Sequence, residues 1–500
     1  MPHHAPTLQS TLPILRDRFG LDSLRPLQGE IIERTLRGRD SLVVMPTGSG
    51  KSLCFQLPAL ALPGLDETGP GVALVFSPLI ALMEDQVAAL KRRGVHAEYI
   101  NSTLGKKERF KRYAKLGRGE YELIYATPER MHKPEFIEAL GAVPGGVKLL
   151  AVDEAHCVSK WGHDLRPAYQ MVGEFRRRLG APPTLALTAT ATRAVRDDIR
   201  ATLGLDPESM PLFAAPVDRP NLSLRVEHVW SDADKIDAVR SLAARRPGTG
   251  IVYFSLIKDL ERLEGELVRA LPGRELRVYH GRMDPREKKR ISQRFVEASP
   301  EDGLVLLATN AFGMGVDKPD IRFIAHAQVP GSVEAYHQEV GRAGRDGQPS
   351  ECVLLYAQDD LAIQHQFVEW QNPSADFLIE VYTAFERAAA SGGDNFDSED
   401  LRELIIGRGH RHGRGGGTLE YALITLAKLG LIEPTSIPGR YQRADPSDDR
   451  IRGKSADALI DPEQIEEKKQ RDLKRLLDVV KLTQAEDVRA FVADYFDLSD

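Results

Sequence analysis

The sequence predicts a doubly wound α/β fold built twice in tandem, followed by a smaller, mainly helical region. Short apolar runs rich in Val, Ile and Leu alternate with helical patterns in two sets. The first comprises 41–46, 72–78, 122–128, 148–154 and 184–190; the second comprises 250–255, 276–281, 303–309, 321–327 and 351–356. Runs apolar on both faces, separated by helices, suit parallel strands covered on both sides. Prolines cluster in 206–221, which marks a junction between the two sets.

Beyond residue 360 the strand-like runs stop. DFLIEVYTAFERAAA (376–390) has helical spacing, and an Asp/Ser-rich stretch before LRELI can cap the next helix. GRGHRHGRGGG (407–417) is too rich in glycine for helix or strand. A helical run from 418 ends at Gly430, and two short extended pieces flank a Pro-Gly turn in 431–443. This helix–helix–hairpin order fits a winged helix. The last forty residues read as two charged amphipathic helices. The expected division is 1–207, 208–360, a helical linker and winged helix in 361–446, and a helical hairpin in 447–500.

Composition narrows the function classes. The 500 residues are 42% hydrophobic and 28% charged, which excludes a mostly disordered chain, a fibrous repeat and a small disulfide scaffold. The net charge is −6, but 445–500 holds 15 Asp/Glu against 10 Lys/Arg, so the first 444 residues sum to about −1. Cys54, Cys157 and Cys352 are far apart, with no CxxC pair. A cysteine zinc site and a disulfide framework are therefore not expected, and a reducing cytoplasm is the natural compartment. No apolar run reaches 18 residues and the start lacks a signal-peptide pattern, so no membrane partner is expected.

The chemistry begins at MPTGSGKS (45–52), between an apolar strand and an apolar helix. This is the context of a phosphate-binding loop. Gly48 and Gly50 let N–H groups turn inward, with Thr47 and Ser49 completing the loop; Lys51 is placed for the β- and γ-phosphates of ATP and Ser52 for Mg²⁺. Met45 stands where the eight-residue pattern has glycine. About a hundred residues on, VDEAH (152–156) closes an apolar run. Asp153 is the expected Mg²⁺ carboxylate and Glu154 the general base that orients water. In EVGRAGRDG (339–347), Arg342 and Arg345 share one helical face and fit arginine fingers reaching across a cleft. An ordinary basic helix end is the alternative.

These motifs, in this order, make residues 12–360 resemble the RecQ family of superfamily-2 DNA helicases. FGLDSLRPLQ (19–28) is similar to the family's adenine-recognising motif, with Arg25 and Gln28 in the matching places. SPLIALMEDQ, TPERM, DEAHCVSKWGHDLRPAY, LTATAT, YHGRMDPREKKR and QEVGRAGRDG match further motifs. The resemblance implies two RecA-like motor domains and ATP-driven 3′→5′ unwinding of single-stranded and forked DNA in recombination and repair. Gln338 would help Glu154 position water. The stretch after DEAH resembles an aromatic-rich loop in which Trp161, His163, Arg166 and Tyr169 face unpaired bases. His156 would relay strand binding to the hydrolytic groups. A single-strand-binding protein is a further partner the family implies.

Leu24 and Leu165 stand where the family usually has phenylalanine, and the loss of a stacking ring leaves a DNA-stimulated translocase or annealing factor as the rival reading. An RNA helicase fits less well, because DEAH replaces the DEAD tetrad. The family's zinc cysteines are missing, although 468–496 resembles the helical pair that carries them, so a zinc-free hairpin is expected. From Arg402 to Arg443 seven Lys/Arg face three Glu, which makes Arg408, Arg411 and Arg414 candidate phosphate contacts and Tyr441 a candidate fork wedge.

Overall fold

The computed structural model describes residues 6–62, 69–101, 103–159, 169, 171–313, 318–392, 395–406, 416–435, 439–444 and 454–497. The chain divides into two compact units, one of residues 1–357 with 482–500 and the other of 358–481.

The first unit contains two sheets. One has the order β3-β4-β2-β5-β6-β1-β7, with β1 Ser41–Val44, β2 Val72–Phe76, β3 Ala97–Ile100, β4 Leu123–Ala126, β5 Val147–Asp153, β6 Thr184–Thr188 and β7 Leu212–Ala214. Every pairing in it is parallel. The second has the order β10-β11-β9-β12-β13-β8, with β8 Leu222–His228, β9 Thr249–Phe254, β10 Leu276–Tyr279, β11 Val305–Thr309, β12 Ile321–His326 and β13 Ser350–Tyr356, also all parallel. The ten apolar runs read from the sequence are all strands. β7, within the proline-rich junction, completes the first sheet by pairing with β1.

Alternation within each strand sends side chains to both faces. In β1, Leu42 and Val44 join the core on one side, with Phe76, Phe136 and Phe175; Val43 and Met45 join that on the other, with Phe55 and Tyr125. Each such fully buried side chain contributes about 1.5–3 kcal/mol of transfer free energy.

Register places the chemistry. Val44 pairs with Thr188, and Asp153 with Leu187, so β1, β5 and β6 end in one row with β6 in the middle. The phosphate loop and the DEAH carboxylates thus flank Thr188. In the second sheet, β12 leads to the helix Val333–Val340, capped where Ser332 Oγ accepts from Ala335 N at 3.1 Å.

In the unit 358–481, helices Asp360–Gln371, Ala375–Ala390, Ser398–Ile406 and Gly416–Lys428 precede an antiparallel pair, β14 Ile432–Pro434 and β15 Tyr441–Arg443. Phe396 adds a bridge to Tyr441. Leu378, Phe385, Leu401, Leu423 and Ile432 form the core of this unit.

Candidate nucleotide and nucleic-acid site

The loop after β1 is held open by two glycines. Gly48 has φ +82° and Gly50 φ +87°, a region costly for other residues. A Cβ on Gly50 would lie 2.5 Å from Gln28 Nε2. Gln28 is buried and donates to Gly50 O at 3.1 Å, while Arg25 Nη1 donates to Gly48 O at 2.6 Å. The motif expected to read the base therefore also grips the loop that holds the phosphates. Lys51 Nζ donates to Met45 O at 2.8 Å, which gives Met45 a backbone role that its side chain does not disclose. Burial holds the Lys51 ammonium below its ordinary range, with Glu154 and Asp153 opposing that shift. Ser52 Oγ accepts from Gln86 Nε2 at 3.4 Å; Ser49 Oγ donates to Pro46 O at 2.6 Å, and Thr47 lies half-buried beside them.

At the end of β5, burial raises Asp153 above the usual carboxylate range; Glu154 adds to this and Lys51 opposes it. Glu154 adopts φ +49°, left-handed backbone that is uncommon outside glycine and concentrated at functional positions. Its N–H donates to Asp153 Oδ1 at 3.1 Å. Glu154 Oε2 is buried without a hydrogen-bond partner, 3.3 Å from His156 Nδ1. His156 Nδ1 lies 2.9 Å from Thr188 Oγ1, and that hydroxyl itself donates to Thr190 O at 3.0 Å. The hydroxyl proton being committed, Thr188 accepts, and the imidazole carries its proton on Nδ1. The buried Asp153 carboxylate and the Ser52 hydroxyl are oxygen donors of the kind Mg²⁺ takes, and Gly48 and Gly50 leave the backbone room that a phosphate chain needs.

The second lobe closes the site. A Cβ on Gly48 would lie 2.9 Å from Arg345 Cδ and 3.1 Å from its Nε, so Arg345 lies directly over the phosphate loop. Arg342 is buried and donates to Gly313 O within its own lobe. Gln338 is half-buried near the end of Val333–Val340, and Glu339 beside it holds His326 Nε2 at 2.7 Å.

The nucleic-acid residues divide differently. Trp161, His163, Arg166, Arg408, Arg411 and Arg414 lie outside the described residues. Tyr169, expected on a stacking face, is fully buried in the first-lobe core, so its ring offers no surface to a base here. Tyr441 is half-buried against the core of its unit, and burial raises its phenol. Thr188, Gln86 and Gly313 make contacts that the sequence did not single out as site residues, although Thr188 lies in LTATAT and Gln86 ends SPLIALMEDQ. Among the described residues no cluster of three or more His, Cys, Asp or Glu is arranged to hold a metal ion, and no helix is long and apolar enough to cross a membrane.

The DEAD/DEAH box helicase model matches residues 25–198, and the helicase conserved C-terminal domain model matches 234–347. The chain is 40% identical over 389 residues to the probable ATP-dependent DNA helicase RecS of Bacillus subtilis (strain 168), covering 78% of this chain and 74% of that protein. It is 37% identical over 404 residues to the ATP-dependent DNA helicase RecQ of Pasteurella multocida, covering 81% of this chain and 60% of the relative. With RecQ of Bacillus subtilis identity is 41% over 362 residues, and this match spans 58% of the relative's length. Among solved structures, the DNA-bound DUF1998 helicase MrfA aligns with a TM-score of 0.57 at 19% identity, covering 89% of this chain and 64% of that one. The Mycobacterium smegmatis helicase Lhr, bound to single-stranded DNA and AMP-PNP, aligns with 0.54 at 19% identity, covering 88% and 61%. These two likenesses concern the fold: tandem RecA-like lobes.

Proposed function

Because the chain belongs to the RecQ family of ATP-dependent DNA helicases, we propose that it couples ATP hydrolysis to 3′→5′ movement along single-stranded DNA and to opening of forked duplexes during recombination and repair. The observation that carries the reading is Arg345 of the second lobe lying over Gly48 of the first. A cation delivered to the phosphate loop from the opposite lobe makes lobe closure and phosphate chemistry one event.

In the proposed cycle Arg25 and Gln28 receive the adenine, and Lys51 and the loop N–H groups hold the phosphates. Ser52 and Asp153 would hold Mg²⁺, which draws charge from the β- and γ-phosphate oxygens when bound. Glu154, with Gln338, orients water and accepts its proton. Arg345 and Arg342 stabilise the charge on the transferred group, and its departure frees the lobes to separate. His156, joined to Thr188, passes the presence of DNA to Glu154. Trp161, His163 and Arg166 meet the strand. Arg408, Arg411 and Arg414 contact the duplex arm, with Tyr441 supporting the wing of a winged helix. The tail needs no zinc in this scheme. The setting is the cytoplasm, with a single-strand-binding protein as a partner on the exposed strand.

Lys51→Ala and Glu154→Gln are expected to abolish ATP turnover while leaving DNA binding intact, measured by phosphate release and fluorescence anisotropy. Fork unwinding with ATP, and none with a non-hydrolysable analogue, separates a helicase from a translocase or annealing factor. Turnover persisting in both variants removes the site assignment.

A further inference from the structure

The helix Val488–Phe496 lies far from the motor motifs in sequence, yet it belongs to the same compact unit. Asp487 caps it by accepting from Arg489 N at 2.8 Å and Ala490 N at 3.0 Å. Val488, Val492 and Phe496 recur every four residues and are all buried, so one face of the helix is committed to packing.

Its polar contacts are more specific than its packing. Arg489 pairs with Asp218 at 2.6 Å, in the segment joining the two lobes, and donates to Leu222 O at the start of β8. Tyr495 OH donates to Glu334 Oε1 at 2.9 Å, and the Phe496 ring lies 5.0 Å from that of His337. Glu334 and His337 are both on Val333–Val340, the helix that carries Gln338 and leads into Arg342 and Arg345. At the far end, the carbonyls of Phe496 and Asp497 accept from Arg196 Nη1 at 3.3 and 2.7 Å. Arg196 is fully buried in the first-lobe helix Arg193–Leu203. One nine-residue helix thus touches the second lobe, the connection between lobes and the first lobe.

The Glu334 contact decides what this does. Its side chain is buried, and its second oxygen has no hydrogen-bond partner among the described residues. A buried carboxylate is costly unless its oxygens are bonded, so the Tyr495 hydroxyl is central to how this helix face is satisfied. Glu334 and Gln338 are four apart and share that face. Burial, with Arg219 nearby, lowers His337 to about 4, so the ring meeting Phe496 is neutral at physiological pH.

We propose that the helix Val488–Phe496 is a clasp whose Tyr495–Glu334 bond sets the rotation and depth of the helix carrying Gln338, and so positions the arginines against the phosphate loop. Tyr495 and Glu334 are positioning residues; neither touches the nucleotide. The proposal rests on the ATP-site reading above and extends it to the tail.

The test uses the full chain, saturating single-stranded oligonucleotide and steady-state phosphate release. Tyr495→Phe keeps the ring and removes only the donor. It is expected to lower kcat about tenfold, the scale of a small displacement of catalytic groups, with KM for ATP unchanged within about twofold. The melting temperature falls as well, because the buried Glu334 carboxylate loses its one bonded oxygen, and the split between kcat and KM is the readout that a merely structural role would not give. Glu334→Ala is expected to give the same loss. The double variant is expected to be no worse than either single variant, because both remove one bond. Parent-like kcat in Tyr495→Phe, while Lys51→Ala is dead, overturns the clasp and leaves the ATP site standing. Additive losses in the double variant also overturn it. Turnover surviving in Lys51→Ala overturns the site reading, and the clasp with it.

Discussion

His156 Nδ1 lies 2.9 Å from Thr188 Oγ1 and 3.3 Å from Glu154 Oε2, so one imidazole proton sits between a hydroxyl and the carboxylate assigned to activate water. Thr188 takes that proton in this structure, which leaves Glu154 Oε2 unbonded and available. Thr188→Val removes the acceptor in a fully buried position, and an orphaned buried N–H costs about 1–3 kcal/mol. The imidazole then turns to Glu154 and occupies its lone pair. Expected is a large fall in DNA-stimulated kcat with ATP binding retained, and near-parent activity in Thr188→Ser. Phosphate-release kinetics on the two variants check it.

Gly50→Ala meets two independent obstacles. Its φ of +87° disfavours any Cβ by about 1–2 kcal/mol, and that Cβ would be 2.5 Å from Gln28 Nε2. Nucleotide binding, followed with a fluorescent ADP analogue, is expected to be lost in Gly50→Ala. Adding Gln28→Ala removes the clash but leaves the backbone strain and takes away a residue assigned to the adenine, so no recovery is expected.

Arg345 and Arg342 are expected to respond differently. Arg345→Ala removes a cation from above the phosphate loop, and kcat should fall by about 10³ with the melting temperature held. Arg342→Ala also strips a donor from the carbonyl of Gly313 in a buried setting. Calorimetry should show it less stable than Arg345→Ala.

Lys148, buried on β5, donates to Leu62 O at 3.0 Å beside a cavity of about 1090 Å³. Burial lowers its ammonium to about 8. Below pH 8 both folded and unfolded chains carry the proton, and the folded chain bears the full desolvation cost. Between pH 8 and the ordinary lysine value near 10.5 the unfolded chain holds more protons, so this group makes stability rise with pH. Lys148→Met is expected to be more stable than the parent at pH 7, by at most about 3 kcal/mol. Melting curves should show the difference shrinking toward pH 10.

The strands that sequence periodicity misses are β3, β7 and β8, and all three are sheet edges. β7 is only half-buried along its length and β8 is mostly so, which breaks the continuous apolar run that betrays an inner strand. The nucleotide residues were legible because loop, carboxylate and arginine motifs each sit in a short stretch at a strand or helix end. The His156–Thr188 contact spans 32 positions and follows only from β5 and β6 being neighbours. Tyr169 shows the reverse limit: an aromatic near a DNA-facing motif and one filling the core have the same local pattern. In the tail, the apolar stripe announced a buried face but not its partner, since Arg196, Asp218 and Glu334 lie more than 150 residues away.

The strand order also sets a timetable. β1 is wedged between β6 and β7, and Ser41 pairs with Leu185, 144 positions later. The phosphate loop hangs from β1; Arg25 and Gln28 precede it, but its strand stays without its β6 neighbour until that partner has been made. At synthesis rates of roughly 5–20 residues per second, the ribosome delivers the loop about 7–30 seconds before its support. A nascent chain therefore carries this loop on a strand that lacks its β6 neighbour until most of the first lobe has been made.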